Sequence, residues 1–140
     1  ISCRIIARNA GTWFKSLIID RGTKSGIRPN MPVISAEGVI GRTITCGKNA
    51  STVLLVTDVN SSIGGIIQNT RTPGLVEGQG TNECIFTYIS KKADMPSGSY
   101  VVTSGLGAIF PKGLLIGETG KVNMDSQNLY KTAKIKLSSY

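Results

Sequence analysis

Short apolar stretches separated by small-residue turns run through the whole chain. In residues 1–8, every second position from Ile1 to Ala7 is apolar or small, and Arg4 and Arg8 fall on the other side of an extended backbone. Alternation with a period of two is typical of a strand with one buried face. We therefore predict that residues 1–8 form a half-buried strand.

The later apolar runs are also short, and Gly, Pro, Asn or Asp bounds most of them. Residues 53–56 are apolar on both faces and are predicted to be central, whereas residues 122–129 are interpreted as a polar connection. In the last run, the alternation predicts Ala133, Ile135 and Leu137 inward, with lysines outward. Further predicted strands cover residues 31–34, 39–45, 51–57, 63–68, 83–89 and 130–137.

This spacing of strands and glycine turns, without a convincing helix, predicts an all-β fold. We expect two small, six-stranded, β-barrel-like subdomains. Loop-like composition in residues 69–74 marks the boundary between them. The predicted division is residues 1–10 as a strand packing with the second subdomain, residues 11–71 as the first subdomain and residues 72–140 as the second.

Residues 100–117 carry the densest turn chemistry in the chain. A short apolar run ends at Ser104, and a second one begins at Leu114. The intervening turn residues are predicted to need positive φ, close backbone approach or a fixed φ. The structural turn residues are Gly105, Gly107, Pro111 and Gly113. A similar expectation applies to Gly64 and Gly65, which indicate a bulge or a close backbone crossing.

Composition narrows the function classes. The chain has 140 residues, 16 lysines and arginines against 8 acids, a net charge of +8 and no histidine. The excess charge is spread along the chain, which favours a solvated basic surface over a nucleic-acid groove. The absence of histidine excludes Ser-His-Asp and Cys-His catalysis and argues against zinc. We expect no metal, no cofactor and no nucleic-acid partner.

The three cysteines and Ser104 are the candidate reactive groups of the chain. Cys3, Cys46 and Cys84 have no metal-ligand spacing, and Cys3 and Cys84 are expected to be buried within strands. Ser104 lies on a tight turn and could use Lys112 as its base, which gives a serine-hydrolase alternative. A turn-capping role for Ser104 is much commoner, so we predict no catalytic residue.

Aromatic residues are the remaining candidates for function. They are scarce, and most are expected in the core, but an exposed aromatic side chain is a typical anchor for a protein partner. Alternation puts Phe86 and Tyr88 on one face of their strand together with Cys84. The candidate partner-binding residues are Phe86, Tyr88, Tyr100, Phe110 and Tyr130.

Three stretches together resemble the rod-shape-determining protein MreC family. The first contains Trp13, residues 17–27 and the runs 31–34 and 38–42, and the second comprises residues 53–58 and 61–63. The third and most specific is the Thr-Ser-Gly-Leu-Gly run at 103–107, followed by Phe-Pro-Lys-Gly at 110–113 and by Ile116-Gly117. One departure is the additional glycine in residues 60–65.

The resemblance implies a fold and a role that composition does not. The family's fold is two β subdomains reminiscent of chymotrypsin-type barrels without a working active site. Its full-length members carry an N-terminal membrane helix and a coiled coil, so we expect this sequence to be a fragment that begins after both. The implied function is a non-enzymatic scaffold of the cell-elongation machinery, periplasmic or extracytoplasmic and anchored to the cytoplasmic membrane.

The implied partners are a class B penicillin-binding protein, which the scaffold binds and activates, MreD, and further copies of the chain in a dimer or filament. Contact with the membrane would come only through the missing N-terminal anchor. The alternatives to the scaffold are the Ser104 hydrolase and a polyanion-binding barrel, whose binding would depend steeply on salt.

Overall fold

The computed structural model describes residues 1–9, 15–107 and 109–139. Trp13 lies outside these residues. The described residues form strands throughout, with one 3-10 turn at Thr23–Ser25, so the all-β prediction is confirmed. The strands are β1 (Ile5–Asn9), β2 (Ser16–Ile19), β3 (Pro32–Ser35), β4 (Gly38–Cys46), β5 (Ser51–Leu55), β6 (Ser62–Ile67), β7 (Pro73–Gly78), β8 (Cys84–Ile89), β9 (Tyr100–Thr103), β10 (Leu115–Met124) and β11 (Lys131–Leu137).

The strands form one open sheet and one closed barrel. The open sheet has the order β1-β2-β5-β4-β3, and the barrel closes in the order β10-β11-β8-β7-β6-β9. Neighbouring strands in both are antiparallel. The barrel has the predicted six strands. The other part is a five-stranded sheet whose edges are β1 and β3.

Strand pairing changes from the sheet to the barrel between Leu55 and Ser62, earlier than the boundary predicted at 71/72. Strand β6 pairs with β7 and β9, because its apolar side chains Ile63 and Ile67 belong to the barrel core. The loop-like residues 69–74 lie at the β6–β7 hairpin instead. Strand β1 pairs with β2 in the open sheet and with no barrel strand that the structure describes.

The N-terminal residues differ from expectation. Residues 1–8 are exposed, with Ile6 at 57%, so the prediction of a half-buried strand is wrong, as is that of a buried Cys3. Strand β1 is an edge strand, and a bulge between Ile5 and Ala7 interrupts its alternation. The alternation therefore indicates two chemically different faces, but the described part of the chain buries neither face.

The barrel is filled from both parts of the chain. Phe86 is fully buried at its centre, and Gly74 gives it room: a Cβ atom there would lie 2.7 Å from Phe86 Cε1. At Gly65 a Cβ would lie 3.2 Å from the same atom. The β6–β7 register is continuous through Gly64 and Gly65, so the structure shows close approach and no bulge at this pair.

The open sheet packs on one end of the barrel. Val39 and Val56 come from the sheet side and are part of the barrel core. Ser139 Oγ donates a hydrogen bond to the carbonyl of Val39 at 2.9 Å. A Cβ atom at Gly38 would lie 2.6 Å from Ser138 Oγ, so only glycine fits there without movement. Strand β10 starts at this junction and runs to Met124 at the opposite end, which we call the distal end of the barrel.

Candidate functional site

Two tyrosines whose rings are in contact are exposed at the distal end of the barrel. Tyr88 and Tyr130 have ring centroids 5.4 Å apart and an interplanar angle of 72°, which is an edge-to-face arrangement. Tyr88 is 56% exposed and Tyr130 39%. Leu129 and Met124 are also exposed, and they lie with Tyr130 in the hairpin formed by β10 and β11. We call these four side chains, Tyr88, Met124, Leu129 and Tyr130, the tyrosine patch.

A bulge turns Tyr88 outward. In the β8–β11 ladder Ile89 faces Lys131, but Phe86 faces Ala133, so two residues of β8 lie opposite one of β11. Tyr88 has φ of +58°, in the left-handed region that costs a bulky residue about 1–2 kcal/mol. The prediction that Phe86 and Tyr88 share a face is therefore wrong. The bulge places Tyr88 beside Tyr130, which directly precedes Lys131.

The hairpin between β10 and β11 is fixed by one carboxylate. Asp125 Oδ1 accepts hydrogen bonds from the backbone N–H groups of Leu129 at 2.8 Å and Tyr130 at 3.3 Å. The Asp125 N–H in turn donates to the Tyr130 carbonyl at 2.9 Å. The backbone of Leu129 and Tyr130 is thus fixed before any partner binds, which lowers the entropic cost of association.

The surroundings of the tyrosine patch are polar. Lys91, Lys92 and Asp94 follow β8 along the chain, and all three are exposed. Lys131 Nζ donates to the Ala93 carbonyl at 2.7 Å, which ties this loop to the start of β11. A group of large exposed apolar and aromatic side chains with a polar rim is the arrangement found in protein-binding surfaces.

The other aromatic candidates lie elsewhere. Tyr100 is exposed on β9, which two strands separate from β8 in either direction around the barrel, so it does not join the patch. Phe86 and Phe110 are buried in the barrel core, at 0% and 7% exposure. Their burial leaves them no surface to offer a partner while the barrel is closed.

Sequence reasoning missed Met124 and Leu129. It assigned residues 122–129 to a polar connection, but β10 extends to Met124 because its ladder with β11 continues to Lys131. The available signal was Leu129, a large apolar residue that follows the polar run 125–128 and directly precedes Tyr130.

The glycine-rich loop between β9 and β10 is closed by Thr103. This buried residue donates its hydroxyl to the Pro111 carbonyl at 2.5 Å and accepts from the Leu114 N–H at 2.9 Å. Its own N–H and carbonyl bond to Leu114 and Gly113. The glycines of this loop, Gly105, Gly107 and Gly113, have φ of +84°, +87° and +93°.

Ser104 has a structural hydrogen bond. Its Oγ accepts from the Leu106 N–H at 3.3 Å, as a turn cap does, and its own N–H donates to the Gly64 carbonyl at 3.0 Å. In the described residues Lys112 makes no side-chain hydrogen bond to Ser104. An open cleft of about 580 Å³ adjoins both residues, together with Pro32 and Phe110.

The described cysteines and carboxylates do not form a catalytic or metal-binding centre. Burial raises the pKa of the Cys84 thiol to about 12, and its Sγ donates to the Val56 carbonyl at 3.3 Å. A thiol with this pKa stays protonated and unreactive at neutral pH. Within residues 1–9, 15–107 and 109–139, no group of three or more carboxylates and cysteines is placed to hold a metal ion. No described helix is long and apolar enough to span a membrane.

Comparison with known proteins identifies relatives over nearly the whole chain. The family model described as rod shape-determining protein MreC, barrel core, matches residues 5–139. The cell shape-determining protein MreC of Listeria monocytogenes is 34% identical over 141 residues, which cover 97% of this chain and 48% of that protein. The chain thus spans about half the length of this curated relative.

Solved structures share the fold. The crystal structure of MreC from Pseudomonas aeruginosa matches with a TM-score of 0.93 at 24% identity, covering 99% of this chain and 90% of that one. A chain of the complex between penicillin-binding protein (PBP2) and MreC from Helicobacter pylori has a TM-score of 0.77 at 20% identity, covering 96% and 83%. At these identities the likeness shows the fold alone. On the family match and the Listeria relative, this chain belongs to the rod shape-determining protein MreC family.

Proposed function

We propose that this chain is part of a non-enzymatic, extracytoplasmic scaffold that controls cell shape by binding and activating a class B penicillin-binding transpeptidase. Its relatives are named cell shape-determining proteins, and the Helicobacter pylori relative is found in a complex with a penicillin-binding protein. The observation that carries the proposal is the tyrosine patch, a pre-formed group of exposed apolar side chains at the distal end of the barrel.

The tyrosine patch has the chemistry of a binding hot spot. Tyrosines supply large contact area with few rotatable bonds, and hot spots are enriched in them. The edge-to-face pair and the Asp125-capped hairpin hold the rings before binding. A partner surface with an apolar pocket would cover Leu129 and Tyr88, while the lysines at the rim would set orientation and association rate.

The proposal is tested by measuring binding of the transpeptidase's extracytoplasmic region to this chain by biolayer interferometry. Tyr130→Ala should weaken binding about 30-fold, because truncating a hot-spot residue costs about 2 kcal/mol or more. Tyr130→Phe keeps the ring and should bind nearly as wild type. Tyr100→Ala is the matched control, because it removes an exposed tyrosine that lies outside the patch.

Two results would count against this assignment. Absence of binding at tens of micromolar by the folded chain would remove the transpeptidase as partner. Equal losses for Tyr130→Ala and Tyr100→Ala would remove the tyrosine patch as the contact surface. Activation is measured separately, as transpeptidase turnover with and without saturating chain, and it should be lost together with binding.

Self-association and contact with MreD are further parts of this proposal. The family resemblance implies both, and β1 and β3 are unpaired edges among the described strands. Sedimentation velocity over a range of concentrations should show a dimer or larger species, and a single monomer peak at the highest concentration would contradict it. Co-purification with MreD tests the other contact.

The hydrolase alternative has its own test. A serine enzyme using Ser104 would be labelled stoichiometrically by a fluorophosphonate, and Ser104→Ala would abolish the labelling. We expect no labelling, because Ser104 Oγ is engaged as a turn cap by the Leu106 N–H.

A further inference from the structure

Basic residues that are far apart in sequence lie on segments that backbone hydrogen bonds join at one tip of the open sheet. The turn after β2 and the hairpin between β4 and β5 are joined there by backbone hydrogen bonds, from Thr23 N–H to the Gly47 carbonyl at 2.8 Å and from Lys24 N–H to the Lys48 carbonyl at 3.1 Å. Every cation of this group is exposed. We call it the basic tip, and its members are Arg4, Arg21, Lys24, Arg28 and Lys48.

The basic tip has little negative charge to balance it. Asp20 is the acid at this position: it accepts from the Arg4 N–H at 2.7 Å, and its other oxygen lies 3.5 Å from Arg21 Nη1. Among the described residues, Lys24, Arg28 and Lys48 have no carboxylate within salt-bridge distance. No described carboxylate at that distance therefore offsets the positive potential of these three side chains, and this potential is available to attract an anionic partner.

An apolar cleft opens beside these cations. It measures about 380 Å³, and its lining includes Ile1, Cys3, Ile27 and Met31. Arg4 directly follows Cys3, and Arg28 directly follows Ile27, so the cations stand at the margin of the apolar surface. The tip thus combines two features, concentrated positive charge and an accessible apolar surface.

We propose that the basic tip docks on an anionic phospholipid surface. The lipid phosphates would form ion pairs with the basic side chains. The acyl-chain carbons nearest the headgroups would contact the apolar lining of the cleft around Ile27. A soluble polyanion would pair with the basic side chains only and would leave the apolar cleft exposed to water. Charge and apolar contact acting together are what reversible binding to a bilayer surface requires.

The test is co-sedimentation of the 140-residue chain with phosphatidylcholine vesicles that contain about 30% phosphatidylglycerol. Binding should be clear at about 50 mM NaCl, fall strongly at about 500 mM NaCl, and be absent with pure phosphatidylcholine. The double variant Lys24→Glu/Lys48→Glu should bind at least about tenfold more weakly, because each basic residue near the surface contributes separately. The matched control Lys91→Glu/Lys92→Glu makes the same charge change on the exposed barrel loop and should keep most of the binding.

Three results would overturn the proposal. The first is no preference for phosphatidylglycerol vesicles. The second is an equal loss for both double variants, which would mean that net charge alone governs binding. The third is that poly-glutamate binds as tightly as the vesicles and that Ile27→Ser has no effect on vesicle binding, which would point to a soluble acidic partner. Circular dichroism melts of all variants establish that each is folded.

Discussion

Replacing Thr103 by valine tests how the glycine-rich loop is closed. Thr103 is fully buried, and its hydroxyl makes two hydrogen bonds, to the Pro111 carbonyl and from the Leu114 N–H. Valine has nearly the same shape, so packing is preserved while both bonds are lost. Each bond contributes about 0.5–1.5 kcal/mol, and the stranded partners add a desolvation cost, so we expect a loss of about 2–3 kcal/mol in the free energy of unfolding.

Urea unfolding followed by Trp fluorescence or circular dichroism measures this loss, and Thr103→Ser is the control. Serine keeps the hydroxyl and removes one buried methyl group, which costs about 1 kcal/mol. The valine variant should therefore be less stable than the serine variant. The opposite order would show that Thr103 acts through its methyl group and would refute the hydrogen-bonded closure of the loop.

Further predictions concern glycines and thiols. Gly74→Ala should lower stability by about 1–3 kcal/mol in urea unfolding, because its Cβ would press on the Phe86 ring, and a neutral result would mean that the ring moves freely. Gly107→Val should cost more than about 1 kcal/mol through backbone strain alone, since φ is +87° and open space surrounds the site; Gly107→Asn should cost less. In the native chain Ellman's reagent should modify Cys3 rapidly and Cys84 only after unfolding, and fast native labelling of both would contradict the burial. Burial raises the pKa of the Cys84 thiol from 9.0 to about 12, so between these pH values the thiol is ionised in the unfolded chain and still protonated in the folded one. The free energy of unfolding should therefore fall as pH rises from about 9 towards 12, and this group should have no effect on it below pH 9.

Period-two patterning predicted the all-β class and much of the barrel. Ala133, Ile135 and Leu137 point inward, as expected, with exposed lysines between them. Cys84 is buried as predicted. The β8–β11 ladder is regular from the Ala133–Phe86 pair to the Ile135–Cys84 pair. Each side chain there therefore points to the face that the alternation along its strand predicts.

The failures have identifiable physical causes. At Tyr88 a bulge shifts the register by one residue and reverses the side-chain direction, which no residue count along a single strand reveals. In β1 an apolar alternation lies at a sheet edge, and burial there depends on what else packs against it. Residues 69–74 have loop composition because they lie at a hairpin, and composition alone does not distinguish a hairpin from a domain boundary.

The candidate site was only partly visible in the sequence. The scarcity of aromatic residues points to Tyr88 and Tyr130, but their pairing depends on the antiparallel register of β8 and β11, which joins positions 42 residues apart. The basic tip depends similarly on contact between two turns. Long-range strand pairing determines which surface residues become neighbours, and this information is not local.

Hydrogen–deuterium exchange of the chain with and without its transpeptidase partner tests the central claim most directly, because it locates the contact without any substitution. The account predicts added protection in residues 87–89 and 124–131, at the tyrosine patch. Protection confined to the open sheet or to residues 104–114, with the patch unchanged, would contradict it.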